Sequence, residues 1–218
     1  MKREVNLLSG LPKTKRKVTA RLTAKTLENI AAARQFGQAY FDGRRETGYG
    51  GYCYDGRWIP VARDIVAHFG LKAGDRVLDV GCAKGFLVKD LMAVCPGLEV
   101  FGLDISEYAL KHCEPEVVGR LHLGSCESLP FPDKSFSAVL SINTLHNCDR
   151  DTVLCALREI QRLSGGRAYV QVDSYVNEDE RERFEDWVLT AKFHDYPDVW
   201  RAVFAEAGYT GDYYWTFV

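Results

Sequence analysis

The sequence lacks any apolar run long enough to cross a membrane and any cysteine pattern typical of an exported or zinc-binding protein. Its longest apolar stretches, such as RVLDVG and GRAYVQV, fall far short of the ~20 residues that a membrane span needs. The beginning of the chain has neither the apolar core nor the small-residue cleavage site of a secretory signal. The seven cysteines are odd in number and no two form a CxxC pair, which argues against a disulfide framework or a zinc site. These absences predict a soluble cytoplasmic protein that has no metal and no contact with a membrane.

The composition fits one globular domain, but its charge is unevenly distributed. Hydrophobic residues make up 46% of the 218 residues and charged residues 27%, and the net charge is -2. Most of the positive charge near the start belongs to one segment, KREVNLLSGLPKTKRKVTARLTAK, which contains a single acid, Glu4. Such a segment can recruit nucleic acid or an anionic substrate, but we expect a solvated, partly disordered leader.

Helical and strand-like patterns alternate along most of the chain. TAKTLENIAAARQFGQA predicts a helix from Thr23 to about Ala39, and IPVARDIVAHFG predicts an amphipathic helix that ends at Gly70. Short β-branched runs such as RVLDV, LEVFGLD, SAVLSI and RAYVQVD predict strands, LTAKFHDY is a candidate short strand, and GDYYWTFV reads as a final strand. We therefore predict a doubly wound α/β fold, with a mostly parallel sheet of six or seven strands, helices on both faces and an N-terminal helical cap.

The glycines that follow the first strand do not match the usual phosphate-binding loops. VLDVGCAKG has the order Asp79, Gly81, Ala83 and Gly85, whereas a dinucleotide-binding turn requires GxGxxG. A GxxxxGK[ST] loop is also excluded, because Lys84 precedes the last glycine and no hydroxyl residue follows. A nicotinamide oxidoreductase and a P-loop enzyme are therefore both disfavoured.

The stretch LDVGCAKG instead resembles the first motif of the class I, Rossmann-like S-adenosylmethionine-dependent methyltransferases, with Ala83 in place of the middle glycine. Three further segments resemble the family's motifs in order and spacing: VFGLDIS, LGSCESLPFPDKSFSAVLSINTLHNC and LREIQRLSGGRAYVQVD. The resemblance covers residues 55–210. The preceding stretch YFDGRRETGYGGYCYDGRW is similar to that of small bacterial members that act on surface polysaccharides or specialised metabolites.

This resemblance implies S-adenosyl-L-methionine as cofactor and S-adenosyl-L-homocysteine as product. Asp104 is expected to accept hydrogen bonds from both ribose hydroxyls, while Gly81 and Gly85 let the backbone approach the methionine half. Many relatives have an aspartate where Ser125 stands, so the Ser125 hydroxyl or the Cys126 amide is expected to contact the adenine. The predicted cofactor-binding residues are Arg57, Asp79, Gly81, Cys82, Ala83, Gly85, Asp104, Ile105, Ser125, Cys126, Glu127 and Asn143.

The glycine-rich segment GYGGYCYDGRW is expected to fold over the cofactor. Arg57 is the natural partner of the methionine carboxylate, because a guanidinium group binds a carboxylate bidentately. The tyrosines of the segment are expected to wall the methyl-transfer cavity or merely to pack on the surface: Tyr49, Tyr52 and Tyr54. Residues 1–58 are accordingly predicted to form a basic arm, a helix and a cofactor-covering loop, and residues 59–218 the methyltransferase domain.

Candidate catalytic groups follow the fourth and fifth predicted strands. His146 is the first choice for a general base, since an imidazole pKa near 6.5 suits proton removal at neutral pH. Asp173, Tyr175 and His194 are expected to contact the substrate, although a purely structural role is the alternative for His146, Asp173 and His194. Three cysteines near strand ends could capture a soft metalloid, but inert buried thiols are expected: Cys82, Cys126 and Cys148.

The acceptor is expected to be a small polar molecule. SINTLH, after the fourth strand, lacks the Asn/Asp-Pro-Pro-aromatic motif of base-amino methyltransferases, and Cys148 lacks the preceding proline of a cytosine C5 enzyme. O-methylation of a sugar or of a phosphorylated or specialised metabolite is predicted, with nucleic acid disfavoured and a homodimer left open. An RNA- or protein-directed methyltransferase and a non-catalytic cofactor-binding regulator are the alternatives.

Overall fold

In the computed structural model, which describes residues 3–12 and 18–217, six parallel strands form a central sheet. The strands are β1 (Arg76–Val80), β2 (Glu99–Asp104), β3 (Leu121–Leu123), β4 (Ala138–Ile142), β5 (Ala168–Asp173) and β6 (Asp212–Thr216). Their order is β3-β2-β1-β4-β5-β6, so that β1 lies between β2 and β4. The chain direction across the sheet reverses at this point, which opens a crevice at the carboxyl ends of the strands. The predicted doubly wound α/β fold is confirmed, with all six strands parallel.

Helices cover both faces of the sheet and an N-terminal helical cap precedes it. The helices are α1 (Val18–Thr23), α2 (Leu27–Arg34), α3 (Gln38–Phe41), α4 (Ile59–Phe69), α5 (Phe86–Val94), α6 (Glu107–Lys111), α7 (Arg150–Ser164), α8 (Glu178–Trp187) and α9 (Pro197–Glu206). Their ends follow local chemistry: Pro60 lies in the first turn of α4, and Gly70 ends α4 in a left-handed conformation. In the described part of the chain, no helix is both long and apolar enough to cross a membrane.

Two hydrophobic cores lie on opposite faces of the sheet because successive strand residues point in opposite directions. Leu78 and Val80 belong to the core that also contains Trp200 of α9. Val77, between them in β1, belongs to the core that contains Ile65 of α4. A strand that is buried on both faces reads as a continuous apolar run, as RVLDV does.

Two sequence-based expectations for secondary structure are wrong. The helix predicted from Thr23 to Ala39 is broken into α1, α2 and α3. Thr26 caps α2 by accepting a hydrogen bond from the Asn29 amide, and Phe36 has a φ of +47° immediately before α3. The candidate strand LTAKFHDY is an irregular loop, because the amides of Lys192 and Phe193 both donate to the carbonyl oxygen of His146 and not to a neighbouring strand.

The described part of the N-terminal segment packs against the edge of the sheet. The Val5 amide donates to the carbonyl of Tyr213, and the Tyr213 amide donates to the carbonyl of Arg3. Leu7 and Leu8 are buried. The expectation of a solvated leader is therefore wrong for residues 3–8, because the segment satisfies the free edge of β6. The basic residues Lys2, Lys13, Lys15, Arg16 and Lys17 lie outside the described residues.

Asp212, the first residue of β6, anchors this arrangement. Its carboxyl accepts from the Arg3 amide at 2.8 Å and lies 2.8 Å from Nε2 of His68. Burial alone would raise the pKa of Asp212, but the hydrogen bonds from His68 and Arg3 outweigh burial and hold the pKa below its usual value. The ionised carboxylate therefore stabilises the folded state above the unfolded-state pKa, and this contribution is lost as the pH falls through the folded-state pKa.

Substitution of this carboxylate is expected to destabilise the protein. Asp212→Asn should lower the free energy of unfolding at pH 7 by about 2 kcal/mol, since hydrogen bonds to a buried charge are lost. The difference from the parent protein should shrink below about pH 4, where the parent carboxyl becomes protonated. Urea denaturation at both pH values measures this. Asp198→Asn, which removes an exposed ion pair with Arg201, is the control and should change stability little; equal effects of the two variants would contradict the anchoring role.

Candidate active site

A cavity of about 250 Å³ lies at the carboxyl ends of the central strands. Residues that follow β1, β2, β3 and β4 line one side of it, including Gly81, Asp104, Ser125 and Asn143. This is the crevice that the strand order creates. The predicted cofactor residues that line it are Gly81, Ala83, Asp104, Ile105, Ser125, Cys126, Glu127 and Asn143.

The turn after β1 leaves no room for a side chain at its first glycine. Gly81 has a φ of +87°, and a Cβ built there would lie 2.0 Å from Oγ1 of Thr144. Gly85, at the beginning of α5, has a φ of +75°, and its Cβ would meet Cγ2 of Val117 at 2.9 Å. Both glycines are therefore required by conformation and by space. The turn exposes bare backbone to the cavity, as an approaching ligand would need.

A buried carboxyl group, that of Asp79, and a half-buried one, that of Asp104, lie beneath this turn. Asp104 accepts from the Ala83 amide through Oδ2 and from the Ser106 amide through Oδ1, both at 2.8 Å. Burial raises the pKa of Asp104 even though these hydrogen bonds oppose the shift. Burial and the nearby charge of Asp104 raise the pKa of Asp79 to about 7. A cationic ligand that carries hydroxyl donors would favour the ionised form of both groups, and S-adenosylmethionine, with its ammonium, sulfonium and ribose diol, has this chemistry.

The loop after β3 forms a second wall of the cavity. Ile105 is 64% exposed although its side chain is large and apolar, and it lines the cavity with Cys126. The Ser125 hydroxyl accepts from the Glu127 amide at 3.3 Å, so that its oxygen is used within the turn. Apolar and sulfur-bearing side chains of this kind fit a flat ring.

The opposite side of the cavity is an aromatic wall, formed by Phe36, Tyr40, Phe41 and Tyr49. Asp42, beside it, accepts from Nζ of Lys84, from the hydroxyl of Tyr108 and from the amide of Tyr52. Lys84 is buried and belongs to the turn after β1. The lysine of the glycine turn therefore joins the cofactor side of the cavity to the aromatic wall.

Comparison with known proteins identifies the family. Residues 78–170 match the family described as methyltransferase domain. The segment from β1 to β5 thus matches a methyltransferase domain, and the class I S-adenosylmethionine-dependent methyltransferase fold expected from the sequence is confirmed. The cofactor expected from the sequence is thereby confirmed for the family.

Curated relatives match this chain over only part of their own length. A demethylmenaquinone methyltransferase of Symbiobacterium thermophilum is 37% identical over 92 residues, which are 38% of this chain and 37% of the relative. A sterol 24-C-methyltransferase of Gibberella zeae is 32% identical over 139 residues, 58% of this chain and 36% of the relative. The chain thus spans little more than a third of the length of these two proteins.

Solved structures of methyltransferases share the fold of this chain. A phosphoethanolamine N-methyltransferase of Haemonchus contortus, solved with phosphomonomethylethanolamine and S-adenosylhomocysteine, superposes with a TM-score of 0.58 at 18% identity, over 81% of this chain and 44% of that chain. A S-adenosylmethionine-dependent methyltransferase of Archaeoglobus fulgidus has a TM-score of 0.53 at 20% identity, over 68% and 67%. At these identities the likeness shows the fold alone.

Several residues predicted to bind cofactor or substrate lie away from the cavity lining. Arg57 forms an ion pair with Asp55, and the Tyr54 hydroxyl donates to Asp90. Tyr52 stacks on Phe86, with ring centroids 4.7 Å apart. Asp79, Cys82 and Gly85 lie behind the lining, whereas Tyr49 is part of it. The role predicted for Arg57 therefore requires a different rotamer.

His146 is buried, and Asp173 engages both of its ring nitrogens. Nδ1 accepts from the Asp173 amide at 3.1 Å, and Nε2 lies 3.2 Å from Asp173 Oδ2. This pattern fits the neutral tautomer that carries its proton on Nε2. Neither residue lines the cavity, although Asn147 and Cys148 do. The general-base role of His146 stays a prediction.

Tyr175 and His194 contact each other in a separate cluster. The Tyr175 hydroxyl lies 3.3 Å from Nδ1 of His194, and Phe184 packs beside both rings. Burial raises the pKa of Tyr175 to about 12 and lowers the pKa of His194. Neither side chain lines the cavity, so that their predicted contact with substrate also stays a prediction.

The sequence did not predict every residue that lines the cavity. Lining residues without a sequence-based assignment include Phe36, Tyr40, Phe41, Thr144, Asn147, Asp149, Thr152 and Lys192. The position of Phe36 and Tyr40 could have indicated their role, since they fall immediately before the glycine-rich segment. Lys192 had none, because it follows α8 in an irregular loop.

The Asp104 carboxylate is expected to dominate cofactor affinity. Asp104→Asn should weaken the binding of S-adenosylhomocysteine by about 10- to 100-fold, since charge-assisted hydrogen bonds to the ribose are lost. Calorimetric titration measures the dissociation constant. Asp75→Asn is the matched control: Asp75 precedes β1 at the other end of the sheet, where it accepts from Ser137, and its loss should leave affinity unchanged. Parental affinity in Asp104→Asn would remove the ribose assignment.

Ala83, which stands where the family motif has a glycine, is expected to strain the backbone measurably. Ala83 has a φ of +50°, where a side chain costs about 1–2 kcal/mol relative to glycine. Ala83→Gly should therefore raise the free energy of unfolding by about 0.5–1 kcal/mol, after the entropy that glycine adds to the unfolded chain is subtracted. Urea denaturation is the measurement. Ala67→Gly, at an exposed position of α4, should instead lower stability by a similar amount, and destabilisation by both substitutions would contradict the strain.

Proposed function

We propose that this protein transfers the methyl group of S-adenosylmethionine to a small molecule that has an apolar body and an anionic group. The observation that carries the proposal is that one cavity is lined by the glycine turn and Asp104, by the aromatic wall and by Lys192. A cofactor and an acceptor would meet in this space. Alignment of nucleophile, methyl carbon and sulfur is the main requirement of the reaction, because the sulfonium is already activated.

The cofactor would extend along the carboxyl ends of β1, β2 and β3. Asp104 would accept from the ribose, Ile105 and Cys126 would flank the adenine, and the backbone of Gly81 and Ala83 would face the methionine half. The raised pKa of Asp79 supports this orientation, since an ammonium group nearby would favour its ionised form. Asn143, with a φ of +53°, is held in place by the Thr216 hydroxyl, which donates to its Oδ1.

The aromatic wall supports an acceptor that has an apolar body. Tyr49 is 41% exposed, and it stacks with Phe41. Aromatic faces of this kind bind apolar groups and also attract the positive charge of a sulfonium. Relatives named for apolar acceptors agree with this: beside the demethylmenaquinone and sterol enzymes, a fatty-acid O-methyltransferase of Mycolicibacterium smegmatis is 31% identical over 114 residues, 50% of this chain and 42% of the relative. A bare sugar would make poor use of the wall.

Lys192 supports the anionic group of the acceptor. It is exposed, it lines the cavity, and the other charged residues of the lining are Asp104, Glu127 and Asp149. The carbonyl of His146 accepts from the Lys192 amide at 2.9 Å and so fixes the backbone beneath this side chain. A carboxylate or phosphate is the partner that a lysine favours. The earlier expectation of a phosphorylated or specialised metabolite is compatible with this feature.

The acceptor's ionisation decides whether a base is needed. An alcohol requires a general base, and His146 could serve only if one of its ring nitrogens left Asp173. A carboxylate or another anion is already deprotonated and needs none. The engaged imidazole therefore favours an acceptor that binds as an anion.

Methyl transfer from labelled S-adenosylmethionine to a defined panel tests the proposal. The panel comprises a medium-chain fatty acid, an aromatic carboxylic acid, a sugar phosphate, an underivatised sugar and transfer RNA. We expect transfer to one of the two apolar acids, and Lys192→Met should raise its KM by about tenfold without changing S-adenosylhomocysteine affinity. Lys72→Met, exposed at the other end of the sheet, should leave both constants unchanged. Transfer only to the sugar, sugar phosphate or RNA, or binding of cofactor without transfer, would overturn the acceptor class.

A further inference from the structure

Two thiols lie next to each other in the lining of the cavity. Sγ of Cys126 and Sγ of Cys148 are 3.8 Å apart, and both residues line the cavity. Cys126 follows β3 and is buried, whereas Cys148 follows β4 and is half-buried. The two sulfurs therefore lie on separate loops that both belong to the cofactor side of the site.

A second contact keeps these loops together. The Thr152 hydroxyl donates to Oε1 of Glu127 at 2.6 Å, which joins the residue next to Cys126 to the first turn of α7. The Cys148 amide donates to the carbonyl of Leu145 at 3.0 Å, so that its backbone is also fixed. A disulfide needs its sulfurs about 2.05 Å apart, so that the 3.8 Å gap must close by side-chain rotation together with an approach of the two loops. The loops hold the thiols close enough to react with each other.

The two thiols differ in reactivity. The hydrogen bond from Cys126 lowers the pKa of Cys148, and the positive charge of Lys192 lowers it further. The same hydrogen bond, together with burial, raises the pKa of Cys126. Cys148 is also the more exposed of the two. We therefore expect Cys148, the more exposed thiol, to attack first and Cys126 to resolve the mixed disulfide.

We propose that Cys126 and Cys148 form a reversible disulfide that closes the adenine side of the cavity and weakens cofactor binding. The Cys148 thiolate attacks one sulfur of a small disulfide such as oxidised glutathione and releases one glutathione thiolate. Cys126 then loses its proton, attacks the Cys148 sulfur and releases the second glutathione. The protein dithiol loses two hydrogens and the small disulfide is reduced to two thiols, so that atoms and electrons balance.

This disulfide affects cofactor binding through the cavity walls to which its two cysteines belong. Cys126 lies between Ser125 and Glu127, and all three line the cavity. Closing the sulfur gap moves these walls towards each other where the adenine is expected. Coupling between two events is reciprocal, so that bound cofactor protects the dithiol from oxidation to the same degree. The inference depends on the cofactor site and not on the identity of the methyl acceptor.

The test is to equilibrate the protein in mixtures of reduced and oxidised glutathione. Free thiols are then alkylated, disulfide-linked peptides are mapped by mass spectrometry, and S-adenosylhomocysteine affinity is measured by calorimetry. We expect a Cys126–Cys148 linkage, an affinity loss of about tenfold that dithiothreitol reverses, and a shift of the oxidation midpoint when S-adenosylhomocysteine is present.

Each variant is compared with itself before and after oxidation, so that any change in its basal affinity is excluded. Cys126→Ser and Cys148→Ser should lose the oxidation-dependent change, whereas Cys155→Ser, at an exposed position of α7, should keep it. Glutathionylation of Cys155 without a Cys126–Cys148 linkage would overturn the proposal. A linkage that leaves affinity unchanged, or an equal response in the Cys126→Ser variant, would overturn it as well.

Discussion

The hydrogen bond from the Ala83 amide to the Asp104 carboxylate joins the turn after β1 to the end of β2. It is possible only because the chain turns sharply at Gly81, where a side chain would collide with Thr144. Three strands are thereby brought into one arrangement: β1 supplies the turn, β2 the carboxylate, and β4 the neighbour that forbids a larger residue. The cofactor site is a consequence of this close approach, since the same contacts leave backbone atoms facing the cavity.

The turn also determines where the aromatic wall lies. Lys84 follows Ala83 directly and is buried, with Asp42 as its partner. A buried lysine needs such a partner, because an unpaired charge would cost several kcal/mol. Asp42 in turn fixes Tyr52 and Tyr108 through further hydrogen bonds. A residue that would be free to bind phosphate in a nucleotide-binding loop therefore ties the N-terminal cap to the cofactor turn, which makes the cap part of the site.

Local patterns in the sequence were enough to predict the sheet and the cofactor side of the cavity. These features depend on a few neighbouring residues, as in RVLDV, the glycines after it and Asp104. A buried parallel strand must be apolar, and a tight turn must have glycine. The N-terminal arm was not predictable in this way, since Arg3 meets Asp212 from 209 residues away. Phe36, Tyr40, Phe41 and Lys192 were missed for the same reason, because packing between distant segments places them at the cavity.

His146 shows that position in a fold does not by itself determine which group a side chain contacts. It follows β4 at the edge where ligands bind, yet its ring faces Asp173, and its carbonyl supports the backbone of Lys192. Asp173, at the end of β5, thus orients the imidazole of His146. The carbonyl of His146 in turn holds the loop that places Lys192 at the cavity. Under the proposed function, a residue in this arrangement would act on the acceptor through the loop that it supports. The loops after β3 and β4 are also positioned by a contact between side chains. The hydrogen bond between Glu127 and Thr152 holds together the two walls to which Cys126 and Cys148 belong.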